Sequence, residues 1–281
     1  MLICLIPVTA FTKDNVIRIE GSTTILPIVQ FAAEVFMENN PDVDISVRGG
    51  GSGVGIASLI EETCDIANAS RAIKSIEFKR AMNRGIKIVT HTVAMDGIAI
   101  IVHKENNIEE LSREDIKSIY TGKISSWAKL GGFNKKIVVI SRDSASGTYE
   151  AFNKLIMNKE KIRPDALCEP SNQAVVAIVS NTPLAIGYIG LGYITHRVKT
   201  VRVDGVICTK EEVISGEYPL SRPLFMYTNG EPKGAVKRFL DFILSKTGQK
   251  IVEDSGYVSI SYSCLLYTSD AADELDGVDI G

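Results

Sequence analysis

The sequence predicts an α/β fold, because β-branched strands alternate with helical stripes and three of the strand-to-helix junctions carry the same chemistry. Ser141 to Thr148 follows the run Ile137 to Ile140 and opens onto Tyr149, Phe152, Leu155 and Ile156 at helical spacing. Gly21 to Pro27 lies between the alternating Val16 to Glu20 and an apolar stripe of Ile28, Phe31, Ala32, Val35 and Phe36. Gly49 to Gly55 lies between Val43 to Arg48 and a helix through Ile56, Leu59 and Ile60. At such a junction the free N–H groups of the first helical turn and the helix dipole favour an anion. One serine-rich turn alone is equally an ordinary N-cap. Three of them point to one site at the carboxyl ends of the strands, where open α/β sheets bind ligands.

The other elements follow in order. Pro27 fits the first turn of its helix, which Asn39-Asn40-Pro41 ends. The glycines of 49 to 55 permit close backbone approach, with Ser52 among them as cap and donor. Asp65 to Arg71 is a short strand ending in a polar pair. Strands Ile86 to Val93 and Ile98 to Val102 are separated by Ala94-Met95-Asp96-Gly97. Asp96 is there either a surface turn residue or a deliberate acceptor, since an unpaired aspartate is costly to bury. Ser112 to Asp115 has the spacing of a helix cap, and Ile116, Ile119 and Tyr120 continue that helix to Gly122. Trp127 and Gly131-Gly132 form a loop, and Ser171 to Ser180 is a capped, buried helix. Ala185 to Tyr193 is read as a strand crossing between lobes, Arg222 to Tyr227 as the final strand, and Pro232 to Leu244 as the last helix, with Val236, Phe239, Leu240 and Ile243 on one face.

Composition narrows the function. With 281 residues, 45% hydrophobic and 23% charged, the chain can bury one large core or two modest ones. A net charge of −3 offers no broad basic surface for nucleic acid or anionic lipid. Cysteines 4, 64, 168, 208 and 264 are too dispersed for a zinc site or a disulfide framework, and are read as mostly small buried apolar residues. His91, His103 and His196 are isolated, which argues against a metal cluster or a histidine relay. Gly49 to Gly55 fits neither G-x-G-x-x-G nor G-x-x-x-x-G-K-[ST], and Val54 stands where a nucleophile elbow needs glycine. No catalytic residue, metal or cofactor is expected. Met1 to Ala10 is apolar, with Val8 and Ala10 in a signal-peptidase pattern, so residues 1–15 are read as a front-truncated signal segment in preference to a first strand. The aperiodic, acidic 263–281 stretch is read as appended to a finished domain. No run reaches the roughly 20 apolar residues of a membrane span.

From Val16 to about Ile260 the chain resembles the PstS-like phosphate-binding proteins of the type II periplasmic-binding-protein superfamily. The segments that carry the resemblance are Gly21-Ser22-Thr23-Thr24, Gly49 to Gly53, Asp65-Ile66 with Ser70-Arg71, Asp96-Gly97-Ile98-Ala99, Gly122-Lys123-Ile124 with Trp127, Arg142 with Ser146-Gly147-Thr148, Ala185 to Tyr188, and Arg222-Pro223-Leu224. The resemblance implies two α/β lobes joined by two crossovers, with phosphate in the cleft and closure on binding. It divides the chain into lobe I (16–97), lobe II (98–189) and a return to lobe I (190–262). Carried over by position, the phosphate donors are Thr23 or Thr24, Ser52, Arg142, Ser146, Gly147 by its backbone, and Thr148, with the first contact anywhere from Ser22 to Ile25. The resemblance further implies a monomeric, extracytoplasmic, non-catalytic receptor, in the periplasm or on the outer face of the membrane with or without a lipid anchor. Its partners would be the permease and ATPase of a phosphate ABC transporter.

Two positions depart from the longer family members. Arg71 stands where they carry the aspartate that accepts the phosphate proton, and Ser144 where they carry a carboxylate two residues after the arginine. Near neutral pH phosphate retains a proton and sulfate has none, so a buried acceptor separates the two anions. Asp96 is expected to supply it, with Asp65 the second choice. Arg71 either pairs with Asp96, contacts the anion, or forms a structural salt bridge. The rival functions are a receptor for sulfate or molybdate, a cytoplasmic effector-binding domain of the same fold, and a phosphatase using a clustered serine. The last lacks a general base beside Ser52, Ser144 or Ser146.

Overall fold

The computed structural model describes residues 15–260; the expectations for the leader and the tail lie outside the described residues. Strand β1 (Val16–Gly21) runs parallel to β2 (Asp44–Gly49) on one side and β3 (Ile66–Ala69) on the other. Helices α1 (Leu26–Asn39) and α2 (Ser52–Ile60) make the connections, as parallel strands require. After α3 (Ser75–Asn83), β4 (Ile88–His103) leaves this half and enters the other. There β5 (Glu110–Leu111) and α4 (Arg113–Thr121) precede β6 (Val138–Arg142), α5 (Gly147–Phe152), β7 (Leu167–Glu169), α6 (Asn172–Val179) and β8 (Ala185–Gly190). Strand β6 lies between β7 and β8, parallel to both, so the second half repeats the strand–helix plan of the first. Strands β9 (Val198–Thr200) and β10 (Arg202–Val203) and helix α7 (Lys210–Ile214) follow, and then β11 (Ser221–Asn229) returns to the first half, which α8 (Gly234–Leu244) and α9 (Lys246–Asp254) complete.

The main sheet has the order β2-β1-β3-β11-β4-β8-β6-β7, with β9 also on β4. Its two parallel ends are joined through the antiparallel pair β11 and β4, in which Arg222 lies opposite Asp96. One apolar core gathers Ile17, Ile19, Phe36, Leu224 and Phe239. The other gathers Ile98 to Val102, Tyr120, Trp127, Phe152 and Tyr188, with the last two rings stacked at 4.1 Å.

Several expectations change. β4 is one continuous strand, and Asp96-Gly97 sits inside it with no turn. Gly97 is needed for close packing, since a Cβ there would come 2.6 Å from Cys208 Sγ. Ala185 to Tyr193 stays in the second half; β4 and the entry to β11 do the crossing. The return does not come at residue 190: Val198, Val201, Val203, Val213, Tyr218 and Leu220 belong to the second core. The reason is that β9 hydrogen-bonds the edge of β4 at Ile101 to His103, which holds this segment against that core. Phe31 is 44% exposed, and the buried face of α1 is Ile28, Val29, Ala32, Ala33 and Phe36. Helix α9 has no apolar stripe to announce it, since only Ile251 and Val252 are apolar in it; Ser245 caps it by accepting from Gly248 N. Cys64 and Cys208 are buried, burial pushing the Cys64 thiol up to about 12, whereas Cys168 is exposed.

Candidate anion-binding cleft

The polar turns meet where the two halves face each other. Ser22 Oγ donates to Ser70 Oγ at 3.0 Å and accepts from Thr24 N. Ser52 Oγ accepts from Ser70 N at 3.0 Å. Gly51, at φ +95°, is the N-cap of α2, so Ser52 is the first helical residue and not the cap. From the other half, Ser146 caps α5 by accepting from Tyr149 N. Gly147 then lies directly against the first half: a Cβ there would stand 2.2 Å from Ser52 Oγ and 2.6 Å from Ser70 Oγ. The halves are bonded across this seam by Gly53 N to Ala145 O at 2.9 Å, by Thr24 and Thr148 hydroxyls at 2.9 Å, and by Lys74 to Glu150 at 2.6 Å. Ser22, Thr23, Thr24, Ser52, Ser70, Ser146 and Thr148 are all buried. The N-termini of α2, α5 and α6 open here, which adds positive potential to a lining of hydroxyls.

Two buried arginines stand in this network. Arg142, at the end of β6, gives Nε to Glu169 O and Nη2 to Pro170 O and Thr23 Oγ1. Its Nη1 is buried with no partner, and among the described residues no carboxylate pairs with it. Burial lowers the pKa of this guanidinium. Arg222, on β11, gives Nε and Nη2 to Asp96 Oδ2 at 2.9 and 2.8 Å, and Nη1 to Ser70 O and Gly147 O. Asp96 is fully buried and its Oδ1 accepts from Leu191 N. Burial pushes its carboxyl above the ordinary value, against the opposing pull of Arg222.

The sequence alternatives resolve accordingly. Asp96 is an interior residue paired with Arg222 and not with Arg71. Asp65 accepts from Arg18 Nε and Nη2 on the partly exposed side of the first half, which removes it as the second acceptor. Arg71 forms the structural salt bridge, giving Nη1 and Nη2 to Glu77 at 2.8 and 2.7 Å. Its Nε is buried without a partner.

Residues 9–247 match the family model described as a PBP superfamily domain. The chain is 37% identical over 247 residues to the phosphate-binding protein PstS of Bacillus subtilis (strain 168), covering 87% of this chain and 81% of that protein. It belongs to the PstS family. A Clostridium perfringens structure with bound phosphate is similar at 36% identity and a TM-score of 0.83, covering 87% of this chain and 99% of that one. An ABC-type phosphate transport receptor from Vibrio cholerae is similar at 30% identity and a TM-score of 0.72, covering 86% and 99%. PstS proteins are solute-binding, non-enzymatic components of transport, and act outside the cytoplasm.

On this PstS fold the structure brings together Ser22, Thr23, Thr24, Ser52, Asp96, Arg142, Ser146, Gly147 and Thr148, and directs the guanidinium of Arg71 to Glu77. It adds three residues that the sequence reading did not place in the site: Ser70, Asn172 and Arg222. Asn172 Nδ2 reaches Thr23 and Thr24 Oγ1 at 3.4 and 3.2 Å, while its Oδ1 accepts from Gly190 N. A signal was present for each. Ser70 and Arg222 stand inside segments that carry the family resemblance, and Asn172 follows the helix cap Ser171.

Proposed function

We propose that this protein captures inorganic phosphate in the cleft between its halves and delivers it to the permease and ATPase of a phosphate ABC transporter, outside the cytoplasmic membrane. The observation that carries the reading is Arg142: a buried cation whose Nη1 lacks a partner, set among hydroxyls and helix N-termini. A tetrahedral oxyanion supplies the missing countercharge and matches the planar fork. Thr23, Ser52, Ser146, the Gly147 backbone and Thr148 are its further donors. The proton of phosphate goes to Asp96, the one buried carboxylate among the described residues. Both Arg222 bonds fall on Oδ2, while Oδ1 accepts from Leu191 N, so Oδ1 is the oxygen on which the phosphate proton is received.

Calorimetric titration of refolded, phosphate-free protein with phosphate, alone and in excess sulfate, tests the reading. Binding that survives sulfate is expected. Binding abolished by sulfate would assign the cleft to a fully deprotonated oxyanion, and absence of binding to either would overturn it. Asp96→Asn should let sulfate compete; sulfate binding as weak as in the parent would remove Asp96 as the acceptor.

A further inference from the structure

The hydroxyls of the cleft are not free to turn either way. Thr24 Oγ1 lies 3.2 Å from Asn172 Nδ2 and 3.4 Å from Arg222 Nη2. Thr148 Oγ1 lies 3.0 Å from the same Nη2 and 2.9 Å from Thr24 Oγ1. Thr23 Oγ1 lies 3.2 Å from Arg142 Nη2 and 3.4 Å from Asn172 Nδ2. A guanidinium has no acceptor, and the bond from Gly190 N to Asn172 Oδ1 fixes the amide so that Nδ2 faces the threonines. A hydroxyl oxygen has two lone pairs and one proton. Arg222 Nη2 has one proton left after Asp96, and Thr148 and Thr24 share it; with Asn172 on its other lone pair, Thr24 then gives its own proton to Thr148. Thr148 then accepts from Thr24 and from Arg222, and its own proton has no acceptor in the chain. The proton of Thr23 is left over in the same way.

We infer that Arg222 and Asn172 are positioning residues that polarise the threonines in one direction, so that the protons of Thr148 and Thr23 point at the bound anion. Arg222 has every N–H committed to Asp96, Thr24, Thr148 and the carbonyls of Ser70 and Gly147, and acts through these hydroxyls without touching the ligand. Successive donors along such a chain strengthen one another. The lining set in this way is donor-only at Thr23 and Thr148. It selects a ligand that presents acceptors there and rejects one that presents a hydroxyl or amine. This rests on the phosphate-binding reading.

Two measurements test it. Neutron diffraction from a deuterium-exchanged, phosphate-loaded crystal locates the hydroxyl deuterons. The Thr24 deuteron should lie toward Thr148, and those of Thr148 and Thr23 toward phosphate; a Thr148 deuteron aimed at Thr24 overturns the inference. The second is a double-mutant cycle in phosphate affinity. Thr148→Val and Arg222→Lys should each weaken binding by about ten-fold or more. Their combination should be no weaker than the worse single variant by more than about three-fold, because both remove the same proton from the ligand. Losses that multiply would show a merely structural role for Arg222. Should Arg222→Lys fail to fold, Asn172→Leu takes its place in the cycle and the neutron result stands on the parent protein. A parent that does not bind phosphate overturns the functional reading and the inference with it; a parent that binds, with multiplied losses, overturns the inference alone.

Discussion

Arg142 and Arg222 are both buried, meet in one hydrogen-bond network, and do opposite things. Arg222 has its countercharge inside the chain, directly across the β4–β11 pair, and every donor occupied. Arg142 has two carbonyls and a hydroxyl as neighbours, no paired carboxylate among the described residues, and an idle Nη1. Burial of an unpaired charge is costly, so Arg142 stores a demand for an anion that Arg222 does not. The difference teaches how to separate a binding arginine from a structural one: the question is which charge is missing from the chain, and not which arginine is buried.

The sharpest way to break this comparison is to remove each charge in turn. Arg142→Met should weaken phosphate binding on the order of a hundred-fold or more, read by calorimetry, and should leave the phosphate-free protein at least as resistant to urea as the parent. Retained affinity would end the assignment. Asp96→Asn strands Arg222 and should cost about 3–5 kcal/mol of stability in urea unfolding; a loss below about 1 kcal/mol would erase the distinction between the arginines. A third arginine sharpens it. Arg71→Met should leave phosphate affinity within about three-fold, since a ratio that small lies below one ordinary hydrogen bond.

That variant carries a pH signature. Burial pushes the Glu77 carboxyl up, but Arg71 and the Lys74 N–H more than offset this, and its native pKa lies below the ordinary 4.5. A depressed native pKa stabilises the fold above the unfolded value, and the contribution disappears as pH falls through the native one. Urea melts taken downward from about pH 5 should show Arg71→Met losing less stability than the parent; parallel curves would assign the shift elsewhere. The smallest effect belongs to the half-exposed Lys74–Glu150 pair that spans the seam. Lys74→Ala should weaken phosphate binding by a few-fold at most, equivalent to under about 1 kcal/mol, and the difference should vanish in high salt.

What the sequence determined by itself is local. Ser112 and Asp115 form the reciprocal cap, Ser171 caps α6, Ser146 caps α5, and the three strand–turn–helix junctions stand where the alternation of period and polarity put them. Each depends on residues within a few positions of one another, whose hydrogen bonds and side-chain spacing are properties of the chain itself. Tertiary structure decided the partners. Asp96 meets Arg222 across 126 positions and Thr24 meets Thr148 across 124, while Arg71 turns to Glu77 six residues away. It also decided that β4 runs unbroken through Asp96-Gly97 and that residues 198–220 stay with the second core. Polarity in a sequence says that a buried charge needs a partner, but the choice among distant candidates follows from sheet order and register, which only the assembled fold sets.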